Sequence, residues 1–443
     1  MDEDLLHDLV RGALKAGADA AEAVVGERQS LSVNVRLGAL EEVEREEARD
    51  LGLRVFIGRR QASVSGSDIS PTARAKLLDR VMNMARLAPE DPYAGLAPED
   101  RLARGPFLDL DLYDTAEPSP EALEALGRAA EDAARAVPGV TNSDGGTGAW
   151  SAARYSMVTS GGFHGRHEAS SFAVYASAIA GDENGMERGG DGRSTRWQSD
   201  LPAPEAIGAE AGKRAVQRLG ARKIDSRTAP VIFEDRVAMS LISPLIGAIA
   251  GPAIARGASF LKTKLHQPVF SSAIIILDEP HRPRGLGSQP FDDEGVANGT
   301  TALIDKGVLT TWLLNSASAR QLGMETTGHA SRGLASPPGV GVSNLTVQPG
   351  VTDLAGLLAD AGDGLLVTSM FGASLNSNTG DWSTGVSGFW FENGQLAYPV
   401  TEITVAGNLV DIYGRLVAGS DLEYRGSRNS PSLLVDAMAI AGR

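Results

Sequence analysis

Apolar residues recur at helical spacing at the start of the chain. Leu5, Leu6, Leu9, Val10, Ala13 and Leu14 share one face of a helix predicted over residues 3–16, ending near Gly17. The period then changes from 3.6 to 2. Leu31, Val33, Val35 and Leu37 point one way, with Ser32, Asn34 and Arg36 opposite. Leu51, Leu53, Val55 and Ile57 repeat the alternation, and Ala62 and Val64 follow after Gly58-Arg59-Arg60. This pattern predicts an antiparallel sheet with one wet face. The acidic stretch between the strands, Glu41, Glu42, Glu44, Glu46 and Glu47, reads as a solvated hairpin tip or strand end.

Ser70-Pro71 and Ser119-Pro120 each set an N-cap serine before a first-turn proline. They predict helices running to about Leu87 and Val137. Between them, Pro89, Pro92, Pro98, Pro106 and Pro118 mark residues 88–118 as a long wrapping connection. Strands return from Val140 to about Ile179, Gly181 to Gly192 reads as an exposed loop, and Pro204 to Leu219 is helical. Composition shifts near Lys223 to Pro230. After a helical segment around Asp235 to Ala255, the chain is glycine-rich with short β-like runs at 272–277, 307–314, 364–370, 388–391 and 402–405. The expected class is α+β. A mixed α/β domain with an antiparallel sheet and helices spans residues 1–222, and a β-rich domain spans 228–443.

Composition narrows the chemistry. The 443 residues carry a formal net charge of -15, which argues against a nucleic-acid partner. With no cysteine, the chain has no disulfide, thiolate ligand or cysteine nucleophile, and six histidines leave few zinc ligands. Fifty-two glycines point to many turns and close backbone approaches. No apolar run reaches the ~18 residues of a membrane span. The acidic start, Met1-Asp2-Glu3-Asp4, lacks the basic region of a signal peptide, so a cytoplasmic location is expected.

Three constellations merit weighing. His164, His167 and Glu168 form an HxxHE string, but a strand would send positions three apart to opposite faces. An exposed strand end is the expected reading and a metal site the alternative. Asp278, Glu279, His281, Asp292, Asp293 and Glu294 gather carboxylates that suit a hard cation, yet Pro280, Pro283, Pro290, Arg282 and Arg284 favour turn capping and ion pairing. His266 and His329 are isolated and are expected to be satisfied surface or core residues. The third constellation, Asn376-Ser377-Asn378-Thr379-Gly380-Asp381-Trp382-Ser383, reads equally as a groove for a peptide backbone or a glycine-rich strand crossing. Beyond it, Asn393-Gly394 predicts a type I′ hairpin turn. Phosphate-loop, dinucleotide and GxSxG motifs are absent from the sequence.

Six segments in register resemble the PmbA/TldD family. They are Arg282-Pro283-Arg284-Gly285-Leu286-Gly287-Ser288-Gln289-Pro290-Phe291-Asp292-Asp293-Glu294-Gly295-Val296, Gly307-Val308-Leu309, Ser318-Ala319-Arg320 with Thr326-Thr327-Gly328, Thr379-Gly380-Asp381-Trp382-Ser383, Glu392-Asn393-Gly394, and Tyr398 to Asn408. The resemblance covers residues 230–443 most closely and points to the PmbA (TldE) branch. In the TldD branch a helical HExxxH motif binds the catalytic metal. Here the resemblance sets Ser243, Pro244 and Ala248 at those positions, and Asn429 or Ser430 where a cysteine ligand is expected. It implies a non-catalytic subunit without cofactor, paired with a TldD-type HExxxH subunit that holds the metal, expected to be zinc. Together they would form a cytoplasmic heterodimeric metallopeptidase that admits unfolded peptide into a chamber. Asn376, Thr379, Gly380, Asp381 and Ser383 are the candidate substrate surface. The alternatives are a stand-alone homodimeric peptide-binding or regulatory protein, acting on gyrase or a toxin–antitoxin client, and an enzyme using a serine with His281 or His329.

Overall fold

The computed structural model describes residues 2–183 and 185–443. Among them, the N-terminal half comprises α1 (Asp2–Lys15), β1 (Ala20–Arg36), β2 (Ala39–Ile57), β3 (Arg60–Gly66), α2 (Pro71–Leu87), α3 (Pro120–Arg135), β4 (Val140–Thr159), β5 (His164–Asp182), β6 (Gly185–Thr195) and α4 (Pro204–Gln217). The strands form one antiparallel sheet in the order β3-β2-β1-β4-β5-β6. Ser70 and Ser119 cap α2 and α3 as predicted, their hydroxyls accepting from Ala73 N and Ala122 N.

All four helices lie on one face of this sheet. Ala21, Ala23, Val25, Leu51, Leu53 and Val55 meet α1 and α2. Leu31, Val33, Trp150 and Phe172 meet Leu123 of α3, and Val174, Ala176 and Ala178 meet α3 and α4. The opposite face stays open along the middle of the strands, where small residues such as Ser32, Asn34, Thr147, Ala149, Ser171 and Ala173 are half-buried. This is the wet face that the alternation predicts. The acidic stretch takes the strand-end alternative. The β1–β2 turn is Leu37-Gly38, whose two amides donate to the buried Glu131 carboxylate of α3 at 2.7 and 2.9 Å. Glu41 to Glu47 therefore lie in the solvated first part of β2, beyond the tip itself.

The Gly181 to Gly192 segment is not a loop, because most of it forms β6. Its glycines serve closeness, not flexibility. A Cβ on Gly189 would overlap the α4 backbone at Ala215, and one on Gly190 would stand 2.5 Å from the Tyr175 hydroxyl. The same device seats α3. A Cβ on Gly127 would lie 2.7 Å from the Gly146 carbonyl oxygen, and one on Gly148 would overlap the Leu123 carbonyl.

The C-terminal half follows with β7 (Arg227–Phe233), α5 (Asp235–Ala248), α6 (Gly251–Ala255), β8 (Ile276–Asp278), β9 (Thr301–Asp305), β10 (Val308–Leu309), α7 (Ser316–Leu322), β11 (Ala330–Ser331), β12 (Gly339–Val340), β13 (Leu345–Val347), α8 (Leu354–Ala361), β14 (Gly364–Leu375), β15 (Asp381–Glu392), β16 (Gln395–Asn408), α9 (Leu409–Gly414), β17 (Leu416–Ala418), β18 (Arg428–Asn429) and β19 (Leu433–Ala441). Its main sheet runs β16-β15-β14-β7-β19-β17, and β16 also pairs with β19 through Thr404–Ala406, which closes the strands on themselves. Val231, Phe233, Leu365, Val367, Val386 and Val405 belong to the core that α5 joins. A second sheet, β10-β9-β8-β13-β18, contributes Ile276, Leu303, Ile304 and Leu345 to the same core. The Asn393-Gly394 turn has both residues at positive φ, 50° and 74°, as type I′ requires. The fold is α+β with a β-rich C-terminal region. Runs 272–277 and 307–314 yield only the short strands β8 and β10.

Substituting Gly148→Ala is expected to cost about 1–3 kcal/mol, the usual penalty of overpacking, because its neighbour is helix backbone that has no rotamer to change. Denaturant melts of the variant check this; an unchanged midpoint would show that α3 sits higher above β4.

Candidate functional site

Helix α5 carries the positions that the resemblance assigns to a metal. Its buried face is apolar, with Ala238, Leu241, Ile242, Leu245 and Ala248 in the core. Ser243 turns its hydroxyl back onto its own helix, donating to Met239 O at 2.9 Å. Pro244 lies inside the helix, where its nitrogen has no proton for the Ser240 carbonyl. Ala248 has only a methyl group, and its carbonyl accepts from Ser259 Oγ at 2.6 Å. The helix packs against β14 and β18, so Asn429 stands beside it. The Asn429 amide oxygen accepts from Arg425 N and Gly426 N, its NH2 donates to Gly426 O, and Ser430 Oγ donates to Pro431 O. No imidazole, thiolate or carboxylate stands at these positions, and their polar side-chain atoms are already committed. These residues do not fit a catalytic metal. Among the described residues, no group of three or more His, Cys, Asp or Glu is arranged around a common point.

The residues Asn376, Thr379, Gly380, Asp381 and Ser383 fall at the exposed end of the β14–β15 hairpin. Asn376 N donates to Asp381 O, and Gly380 N donates to Asn376 O at 2.8 Å. Thr379 Oγ1 donates to one carboxylate oxygen of Asp381 at 2.7 Å, and Asn408 Nδ2 donates to the other at 3.0 Å. These bonds hold the Asp381 carboxyl below its ordinary range. Gly380 has φ 84°, and a Cβ there would crowd Phe260 and Asn408. Ser383 pairs with Ser374 across the hairpin. The polar side chains thus tie this turn together. The open feature nearby is main chain: β7 pairs with β14 only from Leu365 to Val367, so the β14 edge beyond that point is not covered by β7.

A second cluster lies where the two halves meet. Glu22 of β1 takes Arg54 Nη1 at 3.1 Å and also pairs with Arg332, all three side chains being almost fully buried. Leu334, two residues on, rests on Gly26, and its carbonyl occupies the space over Gly52. Asp293 accepts from Arg332 N at 2.9 Å, and Asp292 accepts from Glu294 N, Val296 N and Ala330 N. Glu294 takes the amide and hydroxyl of Ser316 at 2.8 and 2.6 Å. Burial pushes all three of these carboxyls above their ordinary range, and for Asp292 the charge of Glu294 adds to it. Beside them, Tyr155, His167, Asp293 and Arg332 help line a cleft of about 390 Å³. His167 packs on Tyr155 and edge-on to Phe291, with ring centroids 5.3 and 5.7 Å apart. Burial lowers its pKa to about 4.

Comparison with known proteins decides the family. The PmbA/TldA metallopeptidase C-terminal domain matches residues 226–442, the central domain 113–219 and domain 1 residues 21–85. Metalloprotease PmbA of Escherichia coli O157:H7 is 38% identical over 447 residues, covering 99% of this chain and 96% of that protein. The chain belongs to the PmbA/TldD family. A Haemophilus influenzae PmbA homolog is 36% identical over 97% of this chain and 94% of its own length, which fits the PmbA branch. Among solved structures, a Bacteroides thetaiotaomicron protein described as a modulator of DNA gyrase has a TM-score of 0.92 at 27% identity, over 100% of this chain and 99% of its own. TldE of Thermococcus kodakarensis shares the fold, with a TM-score of 0.88 at 20% identity over 99% and 100%.

Within this family frame the remaining candidates find structural places. His164 and His167 lie on β5; His164 is exposed, whereas His167 is packed at the junction, so the HxxHE string does not converge. Glu168 pairs with Arg154 at 3.1 Å. The carboxylates of 278–294 cap turns or pair with arginine. Asp278 accepts from the amide and hydroxyl of Ser343, and Glu279 pairs with Arg282. His329 lies between Asp278 at 3.3 Å and Thr327 Oγ1 at 2.9 Å, and His281 meets Asn298 at 2.8 Å. Among the described residues neither imidazole bonds a serine hydroxyl, and His266 contributes a backbone amide to Leu309 O. Nothing in the sequence singles out Arg332 or Glu22, which are 310 positions apart.

Removing Arg332 leaves Glu22 with Arg54 as its one buried partner, so Arg332→Ala is expected to cost about 1–3 kcal/mol and to lower the thermal midpoint. The His167 pKa is depressed in the folded chain. Its contribution is therefore complete above about 6.5 and is lost as pH falls through about 4. The three raised carboxyls work the other way: their contribution is complete at low pH and is lost as pH rises. The comparison with wild type isolates the imidazole. His167→Phe should lose less stability than wild type between neutral pH and pH ~4.5, a difference readable by calorimetry.

Proposed function

We propose that this chain is the metal-free subunit of a heterodimeric metallopeptidase, paired with a TldD-type subunit whose HExxxH helix holds the metal, in the cytoplasm. The observation that carries the reading is α5: the helix is in place, with Ser243, Pro244 and Ala248 where ligands and base would stand. A chain of this family with that helix contributes surface to the reaction, not chemistry. Two surfaces suit an unfolded peptide. The β14 edge past Val367 offers main-chain donors and acceptors, so it can add an extended peptide as a strand whatever its side chains. The hairpin turn containing Asn376, Thr379, Gly380, Asp381 and Ser383 ends that edge. The open sheet face, where serine, threonine, asparagine and alanine lie with Tyr175 and a row of glutamates, gives a mainly polar wall along which an unfolded chain can pass. No helix among the described residues is long and apolar enough to cross a membrane.

The purified chain is expected to bind no stoichiometric zinc and to leave unfolded peptides intact. Mixed with the cognate HExxxH subunit it should form a 1:1 complex that cleaves them. Elemental analysis, size-exclusion chromatography with light scattering and a peptide-cleavage assay check this. Independent zinc-dependent cleavage by the chain alone would overturn the reading, and a persistent homodimer that ignores the HExxxH subunit would favour a stand-alone binding protein.

A further inference from the structure

The outer edge of β2 is unusual for a folded chain. From Leu51 to Ile57 it is paired with β3. From Ala39 to Asp50 its inner side pairs with β1, and its outer side meets no strand. No backbone hydrogen bond from elsewhere among the described residues covers those positions. Both faces of residues 39–47 are exposed as well. Long, flat, unpaired edges invite association, and proteins guard them with proline, inward-pointing charge, bulges or a covering element. This one lacks proline and has no cover. Its one irregularity, between Asn34 and Val35 on the β1 side, lies at the tip.

The side chains on this edge select among partners. Register places Glu42, Glu44 and Glu46 opposite Asn34, Ser32 and Ser30, so the three carboxylates form a row on the open face of the sheet. On the other face, Leu40 and Val43 stand opposite Val35 and Val33 and are 51% and 47% exposed, followed by Arg45 and Glu47, which pair with each other at 2.7 Å. Glu46 has Arg28 at 2.6 Å and Glu41 has Arg36 at 3.5 Å. Across residues 39–50 six carboxylates outnumber two arginines. A second copy of the same strand would therefore set carboxylates against carboxylates, which is unfavourable for directly opposed residues. A strand with lysine or arginine facing the carboxylate row and apolar residues facing Leu40 and Val43 is complementary to it. Such complementarity fixes register and speeds encounter.

We propose that the Ala39–Asp50 edge of β2 is the docking strand for the metal-bearing subunit, which adds an amphipathic, basic edge strand antiparallel or parallel to it and extends the sheet across the subunit boundary. This rests on the hetero-subunit reading above and assigns it a surface. The acidic stretch is then a specificity device: it blocks self-pairing of this chain through the edge and leaves the edge open to a chain of opposite charge.

The test uses the full chain and the cognate HExxxH subunit. Hydrogen–deuterium exchange should show amides of residues 39–50 slowed at least about tenfold on mixing, as new ladder bonds form. The variant Glu42→Lys/Glu44→Lys/Glu46→Lys should keep the free chain's thermal midpoint, since these side chains are exposed. It should weaken the complex at least about tenfold at low salt and flatten its salt dependence. A complex that forms while residues 39–50 exchange as in the free chain, with the triple variant binding as well as wild type, overturns the docking strand and leaves the hetero-subunit reading intact. If wild type forms no complex with the HExxxH subunit, both fail together. The exchange measurement on wild type stands even if the triple variant does not fold.

Discussion

A carboxylate between two guanidinium groups, all out of water, is stable only while every member stays in place. Glu22 is that carboxylate, and Arg54 and Arg332 reach it from two different domains. Removing either arginine leaves Glu22 with a single buried partner, and removing Glu22 leaves two guanidinium groups facing each other, so the group constrains more than it stabilises. Arg332 cannot reach Glu22 unless its loop lies flat on the sheet. That demand explains Gly52, where the Leu334 carbonyl takes the space a side chain would need. It also fixes the loop of Asp292 and Asp293, whose carboxylates hold the amides of Ala330 and Arg332. The aromatic packing of Phe107, Phe163 and Phe291, with centroids 4.9 to 6.3 Å apart, fills the apolar side of the same junction.

The proline-rich stretch between α2 and α3 acts within that constraint. It runs along the C-terminal half of the chain as a strap. Arg320 donates to the Tyr93 carbonyl and pairs with that of Leu96, Ala103 N bonds Gly295 O, and Arg284 holds Asp111 at 2.5 Å. A second ionic seam joins the domains from the other side. Asp191 of β6 pairs with Arg236 of α5, and Arg214 of α4 grips Glu234 just before that helix. The course of α5 is therefore set by contacts at its start as well as by the core beneath it.

Much of this was legible in the chain where local physics rules. The two serine–proline caps, the alternating strands and the Asn-Gly turn need only neighbouring residues, and each appears where the pattern places it. The rest turns on distant partners. Glycines from 181 to 192 looked like a loop because their purpose, admitting α4 and Tyr175, lies on other elements. Glutamates 41 to 47 read as a hairpin tip or a strand end, and only the partners of β1 decide for the strand. At the site, the motif positions on α5 rest on the family resemblance, and the capping roles of the 278–294 carboxylates on the prolines, glycines and arginines beside them. The Glu22–Arg332 pair did not, since nothing local links residues 310 positions apart. The free edges of β2 and β14 were equally hidden, because an edge is defined by which neighbour stops short.

Pro244 joins two properties that are separate elsewhere on α5. Ser243 and Ala248 differ from the motif only in what their side chains offer. The prolyl ring at 244 removes both the carboxylate that a base would supply and the amide rung that the Ser240 carbonyl would fill. Histidines placed at 243 and 248 alone would leave both missing, whereas Pro244→Glu would return both in a single substitution.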